Sequence, residues 1–195
     1  MHLFDTRELW LNAAAEKMRV WIAGAPGNES YEAPLISVGF PRGSRGRSTS
    51  NAIGQCWDKS TSGDNERAHI FIIPTITDPE EVLAILLHEL VHASVGTKCG
   101  HRGAFRSVAL GVGLTGKMTA TVAGEELKPR LTKIIEQLGK YPHPGMKLPP
   151  KGSKGSRLLK VQCGGCGCII RITRKWLDWV GPPTCGCGTA MQEGD

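Results

Sequence analysis

Asp78-Pro79-Glu80-Glu81-Val82-Leu83-Ala84-Ile85-Leu86-Leu87-His88-Glu89-Leu90-Val91-His92 is the stretch on which the reading of the chain turns. It opens with the signals of a helix start. Asp78 can cap, Pro79 takes the first helical position, and Glu81 stands where a capping-box acid would sit. Val82, Leu83, Ile85, Leu86, Leu87, Leu90 and Val91 then cover most of a helix circumference. A helix of this kind, from about Asp78 to Val95, is buried rather than amphipathic. His88 and His92 stand at i and i+4, one above the other on one face. Both imidazoles can then reach one metal ion, with Glu89 beside it as a base and not a ligand. H-E-x-x-H fixes only three residues, so the match alone is weak. Its setting strengthens it, because two histidines and a glutamate inside an apolar helix need partners.

A hydrolytic zinc site takes three protein ligands and leaves one position open. His101 is the best third ligand. Eight residues separate it from His92, enough for the helix to end at Gly96 and the chain to turn back. Cys99 competes as a thiolate, and a distant carboxylate, Glu125 or Glu126, is the remaining option. His101 is preferred because His-rich sites with an open position are the hydrolytic type. The metzincin spacing does not fit, since Ser94-Val95-Gly96 is out of phase with it.

Around this helix the chain reads as α+β. Leu9, Trp10, Ala13, Ala14, Met18, Trp21 and Ile22 repeat at helical spacing between Asp5 and Ala23. Pro34 to Phe40, Ala52 to Trp57 and Ala68 to Ile73 read as short strands of a small, mainly antiparallel sheet. A helix from about Gly103 to Leu110 packs Ala104, Phe105, Val108 and Ala109 on the main helix. Leu131, Ile134, Ile135 and Leu138 mark another, from Pro129 to Gly139. Cys56 reads as a core residue. Residues 1–142 form the main domain. Residues 143–157, rich in Pro, Gly, Ser and Lys, read as a linker in which His143 is a loop histidine.

Residues 158–195 form a small module. Five of the seven cysteines lie between Cys163 and Cys187. Cys163 and Cys166 have the spacing of a zinc knuckle; Cys185 and Cys187 supply the second pair, with one intervening residue where two are usual. Cys168 is the possible replacement for one of that pair. The assignment is Cys163, Cys166, Cys185 and Cys187 around one structural zinc, which supplies folding free energy that so short a segment lacks. Leu158 to Gln162 and Ile169 to Thr173 are its strands. Trp176 and Trp179 are either base-stacking groups or core, with at least one expected in the core.

The net charge of +6 is unevenly placed. Between Lys147 and Lys175 there is no acid, and Lys151, Lys154, Lys160, Arg171, Arg174 and Lys175 fall there. Arg42, Arg45 and Arg47 sit in a Gly/Ser-rich loop. Such groups suit phosphate contacts that are salt-sensitive and largely independent of sequence. The alternative is a solvated loop and a solubilising linker. The N-terminus has an acid where a secretion signal needs apolar residues, and no apolar run approaches membrane-spanning length. A cytoplasmic protein, nucleoid-associated or in a host cytoplasm if viral, is expected, with a monomer as the default.

His88-Glu89-x-x-His92 followed by Gly100-His101-Arg102-Gly103-Ala104-Phe105 resembles the SprT-like zinc metallopeptidase family, of the SprT and Spartan type. The likeness is greatest to its short phage and bacterial form with a C-terminal zinc ribbon. Arg102 departs from the family pattern, and the stretch from Gly111 to Pro150 is covered least. The resemblance implies a zincin-like domain and a zinc endopeptidase that cleaves DNA-bound or DNA-crosslinked proteins in a DNA-repair role. One catalytic and one structural zinc would be its cofactors. The alternative is a nucleic-acid- or transcription-associated binding module whose H-E-x-x-H site is structural. Glu89 separates the two, since a structural site needs no base.

Overall fold

The computed structural model describes residues 3–25, 32–41, 52–63, 66–147 and 158–194. Arg42, Arg45, Arg47, Lys151 and Lys154, expected to contact nucleic acid, lie outside the described residues. The chain divides into two compact units, Met1–Leu148 and Pro149–Asp195, both mixed α and β. Among the described residues, no helix is long and apolar enough to cross a membrane.

The first unit is built around helix α2, Pro79–Val95. The Asp78 carboxylate accepts the Glu81 N–H at 2.8 Å, and Pro79 occupies the first turn. Residues Val82 to Leu87 and Glu89 to His92 are buried, so the helix is enclosed on nearly every side. Helix α1, Arg7–Ala23, covers it with Trp10, Leu11, Ala14, Met18 and Ile22, all fully buried.

Strands β1 (Leu35–Val38), β2 (Gly54–Trp57) and β3 (His69–Ile72) form one sheet in the order β1-β3-β2. β2 is antiparallel to β3, but β1 is parallel to it. The sheet is therefore mixed, not mainly antiparallel as the strand spacing suggests. Alternation of side chains fixes which face of a strand is buried and leaves its neighbours undetermined. Ile70 and Ile72 of β3 are fully buried, while His69 and Phe71, which alternate with them, stack on each other at 4.7 Å between ring centroids.

After α2 come a single 3-10 turn, Thr97–Cys99, and helix α3, Ala104–Gly111. A hairpin follows, β4 (Leu114–Lys117) with β5 (Ala120–Ala123), in a region where the sequence shows no strand pattern. Val122 is 58% exposed and β4 ends in Thr-Gly-Lys, so no apolar alternation marks the hairpin. Helix α4, Lys128–Leu138, returns to α1 and α2 through Leu131, Ile134 and Leu138.

Arg7 fastens the C-terminal end of this unit. Its guanidinium donates to the carbonyls of Pro74 (2.7 Å), Pro142 (3.0 Å) and His143 (3.1 Å), and lies over the Tyr141 ring. Met146 N–H also donates to Pro74 O. The first unit thus runs to Leu148, and residues 143–147 belong to it although their composition reads as linker. Proline and glycine report the lack of regular structure; they do not report the lack of bonds.

In the second unit, β6 (Leu158–Cys163) is flanked by β7 (Ile169–Thr173) and β8 (Met191–Glu193), all antiparallel, with helix α5 at Arg174–Val180. Among the described residues its buried core is Val161, Cys163, Leu177 and Met191. Leu177 takes the core position expected of a tryptophan; Trp176 and Trp179 are 45% and 72% exposed.

Arg7→Met should therefore destabilise the first unit by about 2–4 kcal/mol in urea denaturation, because three carbonyls lose a charged donor at once. A change below about 0.5 kcal/mol, the range of ordinary surface substitutions, would show that the strap is incidental.

Candidate metal centres

His88 and His92 lie one turn apart on α2, and the chain brings His101 back to them from the following loop. His101 Nε2 is 3.3 Å from His88 Nε2 and 3.2 Å from His92 Nε2. One ligand atom from each of the three lies within 4.8 Å of the others. Zn–N bonds of about 2.0–2.1 Å in a tetrahedron separate the nitrogens by about 3.3–3.4 Å, so the observed spacing suits such an ion. His101 can turn back because Gly100 and Gly103 adopt φ +54° and +51° with strongly negative ψ, which only glycine holds without strain. Phe105 packs against all three imidazoles, with ring centroids 4.9, 5.0 and 4.2 Å from His88, His101 and His92. The phenylalanine of the Gly-His-Arg-Gly-Ala-Phe segment is thus the floor under the ligands as well as a helix contact.

Burial favours the neutral form of these imidazoles. Desolvation, with the neighbouring His101, pushes His88 down to about 4. Desolvation, with His88 and His101, pushes His92 down to about 3. His101 is lowered by burial too. Neutral imidazole is the form that binds a metal. The other ring nitrogens differ: His88 Nδ1 is 2.8 Å from Thr121 Oγ1, whereas His92 Nδ1 is buried with no hydrogen-bond partner among the described residues. The alternative third ligands lie elsewhere. Cys99 Sγ donates to the carbonyls of Gly96 and Gly100, and Glu125 is paired with Lys128 at 2.7 Å. Neither these nor Glu126 belongs to the convergent group.

Glu89 stands beside the three ligands without joining them. It is 6% exposed, and the Cys56 N–H donates to its carboxylate. Burial pushes it up to about 8. Gly54 makes this fit possible: a Cβ there would lie 2.5 Å from Glu89 Oε1 and 2.7 Å from Ile85 Cγ2. By sequence Gly54 is only a residue of a short strand, since nothing local marks a glycine as one half of a long-range approach. Cys56 lines the same site, and burial together with the Glu89 charge pushes its thiol up to about 12, so it is no nucleophile.

The residues open onto a cleft of about 600 Å³. Residues 52–56, Thr119, Ala120 and Thr121 line it together with His88, Glu89, His92 and His101. β3 is the central strand, so its Ile70–Ile73 segment offers no open edge to a bound peptide. Among the described residues β2 is an outer strand of the sheet, and it lines the cleft.

In the second unit Cys163, Cys166, Cys185 and Cys187 converge, with Sγ–Sγ distances of 3.4 Å (163–187) and 3.5 Å (166–185). The Gly165 and Cys166 N–H groups point at Cys163 Sγ, as in a thiolate knuckle. Thr189 draws Cys187 down to about 6 through hydrogen bonds to its sulfur. Cys168 stays outside the group; its carbonyl accepts from Cys163 N–H and closes the turn. Both groups could hold metal ions, and both donor sets suit zinc.

Of the remaining basic candidates, Arg171 and Lys175 are exposed and Lys160 is half-buried. Arg174 is held by the Glu193 carboxylate and lies 3.8 Å from Asp178, which leaves it less available to phosphate. Comparison of the chain with known protein families, curated proteins and solved structures found no match.

The burial of Glu89 gives a signed pH dependence for the metal-free protein. From about pH 4.5 to about 8 the unfolded chain releases this proton before the folded one, so the Glu89 contribution to stability falls as pH rises. A tenfold difference in proton affinity between the two states is worth about 1.4 kcal/mol. In chelator-treated protein, Glu89→Gln should therefore gain unfolding free energy over wild type in urea denaturation, progressively between about pH 5 and about 8.5 and reaching a few kcal/mol at the alkaline end. An offset that does not change with pH would mean that Glu89 is solvated.

Proposed function

We propose that this chain is a zinc endopeptidase that cleaves proteins bound or crosslinked to DNA. The observation that carries the reading is the place of Glu89: a buried carboxylate beside three convergent imidazoles, outside their ligand set, at an open cleft. A structural metal site needs neither the base nor the cleft.

His88, His92 and His101 would hold the ion, with His88 and His92 neutral at physiological pH and His101 lowered in the same direction. Zinc bound there would supply Lewis-acid chemistry, acidifying water toward neutral pH and polarising a carbonyl. Glu89 takes the proton from the attacking water and passes it to the leaving amine. Its raised proton affinity suits both steps, since a base near neutrality can accept and return a proton. Cys56 N–H fixes the direction of the carboxylate. A substrate in extended form would lie in the cleft beside β2, within reach of Glu89 and the three histidines.

The nucleic-acid side of the reading rests on the second unit and on the basic stretches of sequence. Trp176 and Trp179 stand exposed on α5 with their rings 5.1 Å apart, and Lys175 lies over Trp176. Exposed paired indoles beside Arg171 and Lys175 suit base stacking with phosphate contact. The zincin-like fold, the SprT-like resemblance and the repair-type role belong to the same proposal. Their support is His88-Glu89-x-x-His92 with the Gly100 to Phe105 segment.

The test is cleavage of a protein crosslinked to DNA by the full chain, wild type against Glu89→Gln, with zinc counted in each. Two zincs in both proteins and at least a roughly 10²-fold loss of cleavage in the variant are expected. Equal cleavage by the two would remove Glu89 from the mechanism, and no cleavage by fully zinc-loaded wild type would remove the peptidase reading.

A further inference from the structure

A histidine that binds a metal through Nε2 carries its hydrogen on Nδ1, and the acceptor of that hydrogen fixes the tautomer and the ring plane. His88 Nδ1 lies 2.8 Å from Thr121 Oγ1. Among the described residues His92 has nothing equivalent, since its Nδ1 is buried without a partner there. Thr121 belongs to β5, whose register with β4 sets it opposite Gly116, and the hairpin packs on α2. Thr121 is also part of the cleft wall. The metal helix and the hairpin therefore meet through a polar contact at the ligand itself.

We infer that Thr121 is a positioning residue for the histidine site: its hydroxyl oxygen accepts the Nδ1–H of His88 and so aims Nε2 at the point shared with His92 and His101. The inference rests on the reading of the three histidines as metal ligands. It gives the hairpin, which sequence patterning leaves invisible, a defined task. The hydroxyl is the chemistry required. Valine has the same shape and suits a strand, but it cannot accept a hydrogen bond. Serine keeps the oxygen and loses only the methyl group.

The experiment is cobalt and zinc titration of the full chain, comparing wild type, Thr121→Val and Thr121→Ser. Cobalt separates the two centres, because thiolate coordination gives an intense charge-transfer band that a nitrogen site lacks. Thr121→Val should weaken binding at the histidine site about 10- to 100-fold, the usual range for loss of such a partner. Thr121→Ser should stay within about threefold of wild type, a difference too small to signal a lost partner, and the cysteine site should be unchanged in both. Wild-type affinity in Thr121→Val, or equal losses in the two variants, overturns the role of the hydroxyl while leaving the metal reading in place. Absence of any histidine-site binding in wild type overturns both. A measurement on wild type alone guards against a valine variant that fails to fold. In the zinc-loaded protein the His88 Nδ1 proton should be observable by nitrogen-correlated NMR and slow to exchange. Metal on Nδ1, or a rapidly exchanging Nδ1 proton, contradicts the assignment.

Discussion

Three imidazoles that converge on one another in a site whose burial favours their neutral form are the constraint on which the first unit depends. Their spacing leaves His101 Nε2 3.2–3.3 Å from both partners. Burial holds His88 and His92 neutral, so their mutual approach is not opposed by charge. A cation relieves the crowded lone pairs better than a proton shared between two rings can serve three. Much of the surrounding structure makes this convergence possible. α2 is enclosed by apolar groups and stays helical through the H-E-x-x-H turn. Gly100 and Gly103 reverse the chain, and Phe105 supports the three rings from below.

Glu89 adds an opposing demand. A carboxylate in the same environment is costly when charged, which is why burial raises its proton affinity. The site meets that cost with a backbone donor, Cys56 N–H, and with a glycine that lets β2 approach. A larger residue at position 54 would have to push either the carboxylate or Ile85 aside. The edge strand of the cleft and the position of the base are therefore one structural decision. In the second unit the balance is different. Four sulfurs converge on a core of a few residues, so any metal there contributes mainly to holding the unit together.

The parts of this arrangement that are legible in the sequence are those with local signals. Asp78 and Pro79 mark the start of α2, and the apolar residues around its circumference announce its burial. The i, i+4 histidines and the paired cysteines have spacings that carry their own geometry. His101 is legible because a turn after Gly96 can bring the chain back over the helix end. What stays hidden depends on contacts made far along the chain. Thr121 lies 33 positions from His88 in a hairpin without apolar alternation. Gly54 matters because Glu89 and Ile85, far along the chain, pack against it. Strand order, which places β3 in the centre of its sheet, has no local signal either. Leu177, and not a tryptophan, fills the core of the second unit, because which face of α5 turns inward depends on its tertiary packing and not on side-chain size.

The most direct test of the central claim is a crystal structure of the zinc-loaded chain with anomalous difference maps across the zinc edge. One peak should be bonded to Nε2 of His88, His92 and His101, with no fourth protein ligand and Glu89 outside bonding distance, and a second should lie among the sulfurs of Cys163, Cys166, Cys185 and Cys187. No peak at the histidines, or a peak there closed by a fourth protein side chain, would contradict the claim.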